Sequence, residues 1–168
     1  MGAGKTTIGK QLAKALHLQF IDSDREIESR TGVGISVIFE LEGEAGFRKR
    51  ERAVINELSE RADTVIATGG GAVLDPENRA DLKRSGFVVY LCADVESLVE
   101  RTAKDTKRPL LQTDDPALRI RQILEVREPL YRGMADLVVE TGTRSVRAVV
   151  DEIIKELRAR GHFSASRA

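Results

Sequence analysis

Apolar residues recur along this chain with two alternating periods. After a short glycine-rich start, Ile8, Leu12, Ala15 and Leu16 fall at helical spacing; short β-forming runs then appear, each followed by a longer amphipathic stretch. The pattern predicts strands at Gln19-Ile21, Thr64-Ala67, Phe87-Leu91 and Leu137-Glu140, with helices near 5–17, 24–31, 44–61, 76–84, 95–102, 117–128 and 145–160. Such βα alternation implies an α/β fold, a parallel sheet covered by helices on both faces. One stretch breaks the rhythm. Residues 103–116 include Lys104, Lys107, Arg108, Asp114 and Asp115, too charged for a core and long enough for a lid. The tail, about 161–168, reads as frayed, and the absence of repeats or linkers makes residues 1–168 one domain.

Composition narrows the function classes. With 168 residues, 41% hydrophobic and 32% charged, the chain reads as globular and able to bury a core. Its 27 basic residues balance 27 acidic ones, so no net field draws it to nucleic acid or an anionic membrane, and its arginines have to be read singly. Aromatic residues make up 4% with no tryptophan, which argues against base-stacking recognition. The one cysteine, Cys92, ends the apolar run that starts at Phe87 and reads as a buried strand thiol, so no intrachain disulfide forms. No apolar stretch approaches a membrane span or a secretory core, and a cytoplasmic location is the expectation.

Chemistry concentrates at loop positions. Met1-Gly2-Ala3-Gly4-Lys5-Thr6-Thr7 carries the latter part of G-x-x-x-x-G-K-[ST] and runs straight into a helix. Glycines let backbone N–H groups close around a phosphate, Lys5 can reach the β- and γ-phosphates, and Thr6 can ligate Mg²⁺. The bland alternative is a flexible start to an amphipathic helix. A phosphate cradle is a strand-loop-helix unit, so a strand is expected ahead of the loop, with Met1 an internal methionine of a longer protein. Asp22 and Asp24 stand at the carboxyl end of a strand, where ligands of open α/β sheets bind; one can order the water shell of a metal, the other can accept a proton, and either can cap the next helix. Gly69-Gly70-Gly71 follows another strand, where Thr68 and Gly69 replace the aspartate common in phosphate-loop enzymes, leaving Asp22 as the metal-supporting candidate. Arg108 lies in the lid segment, whereas Arg48 and Arg127 accompany aromatic residues and helix breaks, where a planar fork can bind a carboxylate.

Taken in order, Gly2-Ala3-Gly4-Lys5-Thr6-Thr7, Phe20-Ile21-Asp22-Ser23-Asp24, Gly43-Glu44 leading to Phe47-Arg48 and Glu51, Ala67-Thr68-Gly69-Gly70-Gly71, Arg108-Pro109-Leu110-Leu111 and Arg127-x-Pro129-Leu130-Tyr131 resemble shikimate kinase, to about Val150. The resemblance implies a P-loop, nucleoside-monophosphate-kinase-like sandwich whose sheet order is 2-3-1-4-5, with the central first strand apparently missing from this chain. It implies transfer of the ATP γ-phosphoryl to the 3-hydroxyl of shikimate, with Mg²⁺, on the route to chorismate, by a monomer. Carried over, Asp24 is the base and holds the ring hydroxyls. Arg48 and Arg127 clamp the carboxylate, Gly70 offers its backbone, and Arg108 closes on the phosphates. Gly2, Ala3, Gly4, Lys5, Thr6 and Thr7 cradle ATP, Arg101 and Arg144 flank the adenine, and Thr6 and Asp22 serve the metal. Two alternatives stay open: another small-molecule kinase of this fold, acting on gluconate or a nucleotide, or a truncated, non-catalytic remnant that binds substrate or a partner but not ATP.

Overall fold

A computed structural model describes residues 2–102 and 115–162. It contains α1 (Lys5–Leu16), β1 (Gln19–Asp22), α2 (Ser23–Thr31), α3 (Ile35–Ser59), β2 (Thr64–Ala67), a 3₁₀ turn (Ala72–Leu74), α4 (Pro76–Ser85), β3 (Val89–Cys92), α5 (Val95–Thr102), α6 (Pro116–Met134), β4 (Leu137–Glu140) and α7 (Val146–Ala159). The predicted α/β alternation is present. The predicted strands at Gln19, Thr64 and Leu137 start where expected, and the one expected at Phe87 starts two residues later, at Val89.

Local chemistry explains the boundaries. Asp22 caps α2, its carboxylate accepting from the Asp24 and Arg25 N–H groups at 3.1 and 3.4 Å. Asp75 caps α4 and Asp115 caps α6, each followed by proline at the first helical position, where no donor is lost. Ser145 accepts from the Ala148 N–H and starts α7. Leucine spacing on α1 (Ile8, Leu12, Leu16) meets Val149, Val150, Ile153 and Leu157 of α7, and Val139 of β4 is fully buried among them. A second cluster joins Ile21 of β1 to Ile27, Ile38, Phe47, Val54 and Leu58 of α2 and α3. Burying each of these side chains is worth about 1.5–3 kcal/mol, so both cores contribute substantially to stability.

Two helices exceed their predicted limits. The α3 helix begins at Ile35 rather than 44, because the glycine that reads as a helix start, Gly43, is a kink inside it at φ 69° and ψ −178°. The Arg50–Glu42 ion pair, 2.7 Å, spans that kink. The α6 helix continues through Pro129 to Met134 instead of stopping near 128. Proline forfeits one backbone bond there, while Ile120 and Met134, both buried, pin the helix on either side of it.

The strands pair as two parallel ribbons. β1 lies beside β2, with Gln19 opposite Thr64 and Asp22 opposite Ala67; β3 lies beside β4, with Val89 opposite Leu137 and Cys92 opposite Glu140. Among the described residues β2 and β3 do not pair. Ile66 of β2 and Leu91 of β3 instead line a common cavity of about 470 Å³ with Leu12 of α1 and Ile153 of α7. Cys92 is half-buried on β3, and burial raises its thiol pKa, as expected of a strand thiol. No helix among the described residues is long and apolar enough to cross a membrane.

Candidate active site

The carboxyl ends of β1 and β2 meet the amino end of α1. Gly2 and Gly4 take positive φ angles of 65° and 84°, so the loop makes turns that residues with a Cβ rarely adopt. Gly4 leads directly into α1, whose first-turn N–H groups face the loop. Ala3 is buried. Of the two threonines, Thr7 is exposed, whereas the Thr6 hydroxyl is half-buried and donates to Asp22 Oδ2 at 3.0 Å. That hydroxyl-carboxylate pair has the chemistry to suit a hard, oxygen-seeking cation, while the other Asp22 oxygen caps α2. Lys5 and Arg127 both line the large cavity, along with Gly69 and Gly70.

The glycine turn after β2 is wedged among charged groups. A Cβ on Gly69 would stand 2.6 Å from Asp24 Oδ1 and 3.0 Å from Glu51 Oε1, and one on Gly71 would stand 2.7 Å from Arg48 Cζ. Only glycine permits that approach. The Gly69 N–H donates to Ser23 Oγ at 3.2 Å, tying the turn to the start of α2. Asp24, Arg48 and the turn thus form one patch.

Glu51 anchors that patch. Its side chain is fully buried, Oε2 accepts from Arg48 Nη1 at 2.6 Å, and Oε1 is buried without a hydrogen-bond partner among the described residues. Burial pushes its carboxyl above the usual range, and the neighbouring Asp24 adds to the shift. Glu44 accepts from Arg48 Nη2 at 3.0 Å on the exposed side, and the guanidinium stands 5.3 Å from the centroid of the Phe47 ring. Sequence reasoning assigned no role to Glu51 or to Tyr131. A carboxylate three residues after an arginine, on the same helix face, was the available signal for Glu51.

From α6, the Tyr131 hydroxyl donates to the Gly70 carbonyl at 2.5 Å; burial raises the pKa of that phenol, and the charge of Arg127, one turn earlier, lowers it. The structure therefore gathers Lys5, Thr6, Asp22, Asp24, Arg48, Gly70 and Arg127 around connected loops. Arg101 is elsewhere on the same rim, donating to the Gly2 carbonyl at 3.3 Å and to Thr141 Oγ1 at 3.1 Å, and bonding the Gly142 carbonyl as well. Arg144 turns to α7, where it pairs with Glu152 at 2.6 Å. Arg108, with most of the expected lid, lies outside the described residues. No group of three or more His, Cys, Asp or Glu side chains that could hold a metal occurs among the described residues, so a metal beside Thr6 and Asp22 would need water and phosphate oxygens as well.

Comparison with known proteins places this arrangement. The family model described as shikimate kinase matches residues 1–158. The shikimate kinase of Hahella chejuensis is 55% identical over 159 residues, covering 95% of this chain and 83% of the relative; that of Francisella tularensis subsp. holarctica is 59% identical over 154 residues, covering 91% and 88%. Among solved structures, shikimate kinase from Acinetobacter baumannii in complex with shikimate superposes with a TM-score of 0.93 at 47% identity, covering 96% of this chain and 90% of that one. The Aquifex aeolicus enzyme superposes with a TM-score of 0.80 at 34% identity, covering 98% and 95%. A phosphate loop facing an aspartate, two arginines and a glycine turn thus has its explanation in descent: the chain belongs to the shikimate kinase family.

Proposed function

We propose that this chain transfers the γ-phosphoryl group of ATP to the 3-hydroxyl of shikimate, on the route to chorismate and the aromatic amino acids. The observation that carries the proposal is the single patch formed by Asp24, Arg48 and the Gly69–Gly71 turn beside the Lys5-Thr6 loop. It offers a carboxylate clamp and a hydroxyl acceptor next to a phosphate cradle. Similarity across residues 1–158 favours this reading over a non-catalytic remnant.

Phosphoryl transfer depends on positioning and charge neutralisation more than on covalent catalysis. Gly2, Ala3, Gly4 and Thr7 hold the nucleotide phosphates through the loop and the first turn of α1, and Lys5 places a cation on them. Thr6 and Asp22 fit Mg²⁺, which when bound neutralises phosphate charge. Arg48 and Arg127 fork onto the shikimate carboxylate, the Gly70 backbone meets the ring, and Asp24 accepts from the attacking hydroxyl. Arg108 belongs over the phosphates and Arg101 at the adenine end. Arg144, which also pairs with Glu152, flanks the adenine with Arg101. The enzyme acts as a cytoplasmic monomer and as one domain over 1–168.

The sheet order 2-3-1-4-5 fits the two ribbons. It would seat a further parallel strand between β2 and β3, whose facing edges line the same apolar cavity. Amide exchange tests this: slow exchange at Ile66 and Leu91 supports a strand between them, and fast exchange at both argues against one.

ADP release coupled to pyruvate kinase and lactate dehydrogenase tests the activity. Shikimate should support turnover in the presence of Mg-ATP, while gluconate and nucleoside monophosphates should not. No release with shikimate, or faster release with either rival, would overturn the proposal.

A further inference from the structure

We infer that Tyr131 is a positioning residue that sets the separation of the two arginines, Arg48 and Arg127, by tying α6 to the glycine turn. The inference rests on reading those arginines as the carboxylate clamp. They arise on different helices, α3 and α6, 79 positions apart in the chain. The Gly69–Gly71 turn lies between them. On its α3 side the turn is set by close packing, Gly71 against the Arg48 guanidinium and Gly69 against Asp24 and Glu51. On its α6 side it is held by the Tyr131 hydroxyl, which donates to Gly70 at 2.5 Å.

Two further relations make this hydroxyl a gauge rather than a surface decoration. Arg127 is four residues earlier, so it projects from the same helix face, and its charge acts on the phenol, lowering its pKa. The Tyr131 ring stacks on Tyr90 of β3, with centroids 4.9 Å apart and planes 24° from parallel, so the ring has little freedom to swing. Burial raises the phenol pKa still further above neutrality, where the hydroxyl is already a donor. A shift of α6 relative to the turn would carry Arg127 with it, while Arg48 would remain pinned to the buried Glu51. A planar fork that must meet one carboxylate from two sides tolerates little such slack.

The test is calorimetric titration of the whole chain with shikimate, without nucleotide. Tyr131→Phe keeps the ring and its stack and removes only the donor. The expected result is a shikimate Kd weakened about 2- to 12-fold, the range for one lost hydrogen bond. Affinity for a non-hydrolysable ATP analogue should stay within about twofold. Shikimate methyl ester, which lacks the charged carboxylate, should bind parent and variant alike. Combining Tyr131→Phe with Arg127→Lys should weaken shikimate less than the product of the single effects. Unchanged shikimate affinity in Tyr131→Phe, with a clear loss in Arg127→Lys, would overturn the inference and leave the clamp standing. Unchanged affinity in Arg127→Lys would overturn the clamp itself. A parallel loss of shikimate, ester and nucleotide affinity with a lowered melting temperature would reduce Tyr131 to packing and also refute the inference.

Discussion

Replacing Gly71 with alanine isolates the geometry of the proposed substrate clamp from the stability of the fold. Gly71 has φ −86° and ψ −12°, a conformation open to any L-residue, so a methyl group adds no backbone strain. What it adds is volume. The new Cβ would stand 2.7 Å from Arg48 Cζ, so the guanidinium has to retreat by about 1 Å to reach ordinary contact distance. Arg48 is a flexible side chain, partly exposed, and can make that move while Glu51 stays buried. The fold should therefore survive, with melting lowered by no more than about 4 °C, the equivalent of up to about 1 kcal/mol. Substrate recognition should not. A displaced fork forfeits a charge-assisted hydrogen bond to carboxylate worth about 1.5–3 kcal/mol, or roughly a 10- to 150-fold rise in the KM for shikimate. The coupled ADP assay at saturating Mg-ATP reads it directly, and kcat and the KM for ATP should stay within about threefold because Lys5 and Thr6 are untouched. A KM for shikimate within about twofold of the parent would show that the Arg48 position seen here is not the one that binds substrate.

Three other substitutions probe separate parts of the site. Lys5→Met should abolish turnover, with shikimate affinity by calorimetry largely unchanged; retained turnover would remove Lys5 from the phosphate site. Asp24→Asn should lower kcat by about 10²-fold or more if Asp24 takes the proton, the lower range for positioned general bases, whereas a mild loss would reduce it to an orienting acceptor. Glu51→Gln should alter the pH dependence of stability. Because burial raises the folded-state pKa of Glu51 above 4.5, its contribution is fully present below pH 4.5 and declines as pH rises through the raised value. Melting temperatures recorded from pH 4 to 7.5 should shift in favour of Glu51→Gln relative to the parent as pH rises; a constant difference would contradict the raised pKa.

Much of this architecture was legible in the pattern of residue types, because its causes are local. Val65-Ile66 and Val138-Val139 are β-branched runs bounded by polar residues, and Ile8, Leu12 and Leu16 repeat at helical spacing. Asp22 and Asp75 are capping residues immediately ahead of their helices. Elements failed to show where tertiary contacts overrule a local signal. Gly43 and Pro129 both read as boundaries, yet the helices that hold them continue, since buried residues on either side outweigh one distorted or missing bond. In the site, Thr6 and Asp22 were legible from motif position, and the structure brings them together at 3.0 Å. The function of Glu51 was not, because a glutamate on an amphipathic helix looks like any solvated charge until the glycine turn covers it. For Arg144, near the end of β4, the pairing with Glu152, nearly two helix turns into α7, was not legible, because the two residues meet only once α7 packs back on the strand end.

The kink at Gly43 gives a single helix two different lives. Beyond it, Val54, Ile55 and Leu58 are nearly inaccessible to solvent, so that half can open only when the core does. Before it, Ile38 is the buried anchor, worth about 1.5–3 kcal/mol, while Leu41 is 77% exposed. The outer half is therefore the less anchored of the two, held to the inner half by the Phe39–Phe47 ring contact, 4.7 Å between centroids, and by the Arg50–Glu42 pair. Its hinge is protected by torsion rather than by touch: nothing lies within 4 Å of a Cβ placed on Gly43, yet its dihedral angles are ones essentially reserved for glycine. A site with open space on every side is thus closed to every other amino acid.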